Sequence, residues 1–67
     1  LMQVTVNDEP KDTASRTLEG LLRELGVADQ AAVAAAVDGQ VVPRSRWSER
    51  ALSEGSSVIV IRAAQGG

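Results

Sequence analysis

Cysteine and histidine are both absent from this 67-residue chain, and Trp47 is its only aromatic side chain. Without cysteine there is no disulfide framework. Without either residue there is no ordinary zinc site, and no thiol or imidazole to serve as nucleophile or base. A net charge of −2 and the lack of stacking rings leave neither a cationic face nor a platform for bases, so nucleic acid is not an expected partner. No apolar run approaches the ~20 residues of a membrane-spanning helix. No charged segment followed by an apolar stretch opens the sequence, so no signal peptide is expected and the cytoplasm is the expected location. A chain this short buries only about 60% of the surface it exposes when unfolded, too little to enclose a large catalytic pocket. The composition therefore favours a carrier, a binding module or an inhibitor over an enzyme, as a single domain spanning 1–67 with no cofactor bound and no partner copy required.

What is present alternates in period along the chain. Met2, Val4 and Val6 share one side of a half-buried strand. Asn7-Asp8-Glu9-Pro10 reads as a turn, and Lys11 to Ala14 as a short returning strand. Leu18, Leu21, Leu22 and Leu25 then fall on one stripe of a helix, with Thr17 as its N-cap and Gly26 at the position after its end. Gly20 costs that helix about 1 kcal/mol relative to alanine, and a close approach of helix to sheet would account for it. The alanines of 30–37 favour helix by propensity. Asp38-Gly39 followed by Gln40-Val41-Val42 is nevertheless a hairpin signal, and 32–37 with 40–42 are read as strands. Pro43 to Arg46 reads as a turn or short 3₁₀ piece, with Trp47 as a core plug. Glu54-Gly55 reads as another turn, and Val58 to Ile61, a continuous β-branched run, as the best strand in the chain. The order is β-β-α-β-β-β, an α+β fold in which one helical stripe covers one face of a mixed sheet of about five strands. Val4, Val6, Leu18, Leu21, Leu22, Leu25, Val58 and Val60 are the expected core, with Val41 and Trp47 as additions.

Beyond the last strand, 63–67 reads as a flexible tail ending in Gly66-Gly67. Four extended residues reach at most about 13–14 Å, and two residues without Cβ let the backbone pass where side chains would clash. A carboxylate on such a tail is a poor acyl donor until it is joined to a leaving group such as AMP. Activation of that kind splits one hard step into two easier ones. The last strand places Val58 and Val60 on one face and Ile59 and Ile61 on the other, so the isoleucines point outward if the helix covers the valines. Exposed apolar surface leading into the tail marks Ile59, Ile61 and Arg62 as candidate docking residues. Arg62, like Arg44 and Arg46, equally suits a solvated surface. Asp8, Glu9 and Asp12 lie around a turn without calcium-loop spacing and read as a solvated hairpin.

The length, the element order, Val42-Pro43-Arg44-x-x-Trp47, the Glu54-Gly55 turn and the terminal Gly66-Gly67 together resemble the ThiS family over nearly the whole chain. These are the sulfur carriers of thiamin thiazole biosynthesis, with a ubiquitin-like β-grasp fold. The resemblance implies that Gly67 is adenylated with ATP by a ubiquitin-activating-like partner enzyme. It is then converted to a thiocarboxylate (a 1-thioglycine) with sulfur from a cysteine desulfurase, and used as sulfur donor by thiazole synthase. Gln65 and Gly66 are the tail residues such partners would recognise. The terminal glycines are shared with the molybdopterin-synthase small subunit and with ubiquitin-like protein modifiers, which remain alternatives, as does a non-reactive interaction domain. The Pro-Arg-x-x-Trp block favours ThiS among them.

Overall fold

Two tight turns set the register of most of the sheet. In the structure, a computed structural model describing residues 1–63, Asn7 and Asp8 take φ of 51° and 69°. They join β1 (Met2–Val6) to β2 (Glu9–Thr13) as a two-residue hairpin closed by Val6 opposite Glu9. Positive φ at both central residues matches the right-handed twist of the flanking strands, and asparagine and aspartate tolerate it better than most residues. The turn is thus two residues shorter than the sequence suggests, and Pro10 lies inside the strand, opposite Thr5. Proline is admitted because β2 is an edge of the sheet and Pro10 falls in a pair that exchanges no backbone bonds, so no ladder bond needs its missing N–H. The second hairpin turns at Asp38 (φ 50°) and Gly39 (φ 84°), joining β3 (Val33–Val37) to β4 (Gln40–Val42). Strand, not helix, is what the alanine-rich segment forms.

The helix α1 spans Leu18–Glu24 and both its ends are satisfied. Thr17 Oγ1 accepts from the Gly20 N–H at 3.2 Å. The Leu18 and Glu19 N–H groups donate to the carbonyls of Arg50 and Trp47 at 2.9 and 3.0 Å, so the 47–50 turn caps the helix from outside. At the other end Gly26 (φ 76°) donates to Arg23 O and Val27 to Leu22 O, the paired bonds of a Schellman close. Gly20 has a different reason from the one expected. A Cβ there would meet the Ser15 side chain at 3.0 Å, so the close approach is to the β2–α1 connection and not to the sheet.

After β4 a 3₁₀ turn (Arg44–Arg46) delivers Trp47 into the core, with its Nε1–H donating to Val42 O at 2.9 Å. β5 (Ser57–Arg62) then enters the centre of the sheet, in the order β2-β1-β5-β3-β4, parallel to β1 and antiparallel to β3. Leu18, Leu21 and Leu22 close over Val4, Val37 and Val58, all fully buried, with Val27, Ala35, Val42, Trp47 and Leu52 completing the cluster. Met2, Val6, Leu25 and Val60 pack partly buried at its rim. Val41, expected in this core, is 77% exposed. The two-residue turn pairs Ala35 with Val42 and Ala36 with Val41. Val42 therefore shares the inner face with Ala35, and Val41 lies on the outer one.

Thr13, buried in the strand before the helix, donates to Glu24 Oε2 at 2.8 Å and accepts from the Ser15 N–H at 3.0 Å. Ser15 Oγ donates to the same Glu24 oxygen at 2.5 Å, and Lys11 Nζ lies 3.8 Å from the other. The hydroxyl donors of Ser15 and Thr13, aided by the Lys11 charge, hold the Glu24 carboxyl below its ordinary pKa. Because the folded value is depressed, this stabilisation is present above the unfolded pKa of about 4.3 and is lost as pH falls through the folded value. Glu24→Gln should therefore lower stability at pH 7 by about 1 kcal/mol, a charge-assisted bond reduced by partial solvent exposure. In urea titrations the gap from wild type should close as pH drops below that unfolded value; a gap independent of pH would contradict the assignment.

Candidate functional site

Gly67, the residue on which the chemistry was placed, and its neighbours Gln65 and Gly66 lie outside the described residues. The structure defines the root from which they extend and the surface beside it. Ala63, counted with the tail in the sequence, is still tied to the sheet: its N–H donates to Ala32 O at 2.9 Å. This continues the β3–β5 ladder one residue past the Val33–Arg62 pair.

The opposite flank of β5 is held differently. β1 stops at Val6, two residues short of Val60, and the Asn7 side chain fills the gap. Its Oδ1 accepts from the Val60 N–H at 2.8 Å and its Nδ2 donates to Val60 O at 3.2 Å, while the Asn7 backbone N–H donates to Val58 O. One amide side chain thus replaces a strand residue, satisfying both backbone groups of Val60 that β1 leaves unpaired. The left-handed turn at Asn7 aims the amide there. The sequence identified the turn but not this second use of the same residue.

The sheet face away from the helix carries the expected isoleucines. Ile59 is half-buried and Ile61 is 61% exposed, opposite Ala36 and Ala34 of β3. Val41 stands on the other side of Ala36. Small residues on β3 between larger ones on β4 and β5 leave a shallow apolar trough, with alanines as its floor and Val41, Ile59 and Ile61 as its walls. Val41, misplaced in the sequence reading, thus belongs to the same surface as the two isoleucines. Arg62 is exposed at the end of β5, beside Gln30, Ala31, Ala32 and Ala63.

Arg44 is exposed, as a solvated arginine would be, but its guanidinium is engaged. Its Nη1 donates to Ala28 O at 2.7 Å, and its Nη2 donates to Gln30 O and reaches Ala31 O at 3.5 Å. Its guanidinium lies 4.4 Å from the centre of the Trp47 ring. In a 3₁₀ turn residues i and i+3 eclipse, so the Arg-x-x-Trp spacing is itself the signal for that stacking. Arg46 pairs locally with Glu49 at 2.9 Å. Among the described residues there is no cluster of acidic side chains able to hold a metal ion, and no helix long and apolar enough to cross a membrane.

β5 thus brings Ala63 out of the centre of the sheet beside an apolar patch of its outer face. The ThiS family model matches residues 3–67. This chain belongs to the ThiS family. It is 31% identical over 67 residues to the sulfur carrier protein ThiS of Escherichia coli (strain K12), covering 98% of this chain and all of that protein. The crystal structure of the thiamine biosynthesis protein ThiS from Geobacter metallireducens superposes with a TM-score of 0.81 at 26% identity, over 98% of this chain and all of the other. An NMR solution structure of a thiamine biosynthesis protein from the same organism gives 0.80 at 29% identity, over 98% and 88%. The fold is thus the ubiquitin-like β-grasp of the ThiS family.

Asn7→Gly removes the amide without straining a left-handed residue. It should cost about 1 kcal/mol and speed exchange of the Val60 amide more than that of Val58, which the backbone still holds. Equal exchange at Val60 in the two proteins would show that the amide contributes nothing to the root.

Proposed function

We propose that this chain is the sulfur carrier of thiamin thiazole biosynthesis, acting in the cytoplasm as a monomeric co-substrate of partner enzymes and not as a catalyst. The observation that carries the reading is the family match through Gly67, at the end of a segment rooted in the central strand. The relatives named for thiamin biosynthesis favour it over the molybdopterin-synthase small subunit.

On this reading residues 1–67 act as one carrier domain. A carboxylate oxygen of Gly67 attacks the α-phosphorus of ATP held by the adenylating enzyme, pyrophosphate leaves, and an acyl-adenylate forms. The terminal sulfur of a persulfide, supplied through a cysteine desulfurase, attacks the acyl carbon and displaces AMP. A second thiol then cleaves the resulting S–S bond, releasing the thiocarboxylate and leaving a disulfide on the donor side. Thiazole synthase takes the sulfur into its substrate, and an oxygen atom takes its place on the acyl carbon of Gly67, regenerating the carboxylate. ATP is bound by the partner, and no cofactor resides on this chain. The absence of cysteine and histidine fits the scheme, because no thiol or imidazole of the carrier can attack its own activated end. Gln65 and Gly66 are the residues read by the partner's channel. The body docks through the trough, with Ile59 and Ile61 meeting an apolar surface of the adenylating enzyme and Arg62 an acidic group at its rim.

Supplied with ATP, a sulfur source and its adenylating enzyme, the intact protein should gain about 16 Da, oxygen exchanged for sulfur at an activated acyl group. Deletion of Gly67 should abolish the gain while leaving the circular dichroism unchanged; an unaltered mass for the full chain, or loading of the truncated one, would refute the reading. Ile61→Asp tests the docking face separately. At an exposed site it should change stability by about 0.5 kcal/mol or less, yet weaken binding to the adenylating enzyme at least tenfold by calorimetry, as burial of an unpaired charge requires.

A further inference from the structure

Arg44 binds three backbone carbonyls of one short segment, and that segment leads directly to the anchor of the tail. The carbonyls of Ala28, Gln30 and Ala31 converge on a single guanidinium, which is itself seated on the Trp47 ring. The other hydrogen bonds of this loop, Gln30 N–H to Val27 O and Gln30 Nε2 to Gly26 O, tie it only to the segment that ends the helix. Ala28 packs against the rim of the core, and Arg44 joins Gln30 and Ala31 to the 3₁₀ turn and its Trp47. The next carbonyl along, that of Ala32, accepts from Ala63 N–H, the last backbone group described before the tail.

We propose that Arg44 is a positioning residue for tail loading: by fixing the 28–31 carbonyls it fixes Ala32, and through Ala32 it holds Ala63, the last described residue before Gly67's segment. The inference rests on the reading of Gly67 as the loaded group. The reasoning is geometric. Three carbonyl dipoles pointing at one place repel each other unless a cation with several donors stands between them, and a planar guanidinium supplies those donors while its face stacks on an indole. A lysine at position 44 offers the charge without the fork or the flat face. An unfixed Ala32 lowers the fraction of molecules whose tail root points correctly. A partner that selects the competent fraction then sees a weaker apparent affinity, with the same rate once bound.

The test uses the full chain and the adenylating enzyme with ATP, reading pyrophosphate release against carrier concentration together with amide exchange by NMR. In Arg44→Gln the Ala63 amide should exchange about fivefold faster, the worth of one net hydrogen bond, and KM for the carrier should rise by up to about that factor, as the competent fraction falls, with kcat unchanged. Exchange of the buried amides of Val4 and Leu21 should stay within about twofold of wild type, as expected for a surface change distant from them. Arg44→Lys should recover less than half of either effect. A full recovery by lysine would mean that charge alone suffices and would overturn the fork argument. A raised KM with unchanged Ala63 exchange would make Arg44 a direct partner contact and overturn positioning. Faster exchange with unchanged KM would overturn it equally. A wild-type chain that releases no pyrophosphate sinks the carrier reading and the positioning role with it, whereas loading that is indifferent to Arg44 sinks the positioning role alone.

Discussion

Three leucines of one seven-residue helix, packed on Val4, Val37 and Val58, are the contact on which the rest of this structure depends. At about 1.5–3 kcal/mol for each fully buried large side chain, six such residues supply much of what a 67-residue chain has to set against its conformational entropy. A single helix covers only one face of a sheet. The other face is uncovered: Gln3, Thr5 and Asp12 make it polar over β1 and β2, whereas Ala34, Ala36, Val41, Ile59 and Ile61 make it apolar over β3, β4 and β5.

That division decides what each strand carries. β3 sits between β4 and β5 and has alanine on both faces: Ala35 inward, where it leaves room for Val42 and Trp47 in the cluster, and Ala34 and Ala36 outward, where they lower the floor between Val41 and the isoleucines. The same run of small residues makes the interior close-packed and the exterior concave. The two sheet edges are treated differently. β2 is blunted by Pro10, Lys11 and acidic residues, and β4 is cut to three residues by Pro43, so neither offers a long pairing edge.

Most of the architecture was legible because it rests on local rules. Thr17 and Gly26 bound the helix, Asp38-Gly39 bounds a hairpin, and the β-branched run of β5 is unmistakable. Where the reading failed, the missing information was register or long-range partnership. The facing of Val41 follows from a two-residue turn whose length is not visible in composition. Asn7-Asp8 needed two positive φ angles at residues other than glycine, which a scan for glycine turns passes over. Gly20 was assigned to the wrong neighbour because Ser15 approaches the helix from a connection, not from a strand. The partners of the exposed Arg44 were missed because they are backbone carbonyls 13 to 16 residues away, and carbonyls leave no mark in a sequence. Of the candidate site, the outward isoleucines were legible from period 2 alone. The devices that hold the root of the tail were not.

Those devices matter because of where the tail is attached. On the proposed reading the terminal segment enters another protein's active site and pulls on its own origin, and a strand at the edge of a sheet can be peeled one hydrogen bond at a time, at about 1 kcal/mol each. β5 is the central strand. β3 holds one flank as far as Ala63, while β1, extended by the Asn7 amide, holds the other as far as Val60. Extracting it would break both ladders and expose Val58 at the same time. On that reading the terminus is handed to a partner while the body stays folded, and the side chains assigned to hold its root, Asn7 and Arg44, both lie outside β5. They bond to backbone groups, so the strand's own side chains remain divided between the core and the outer face.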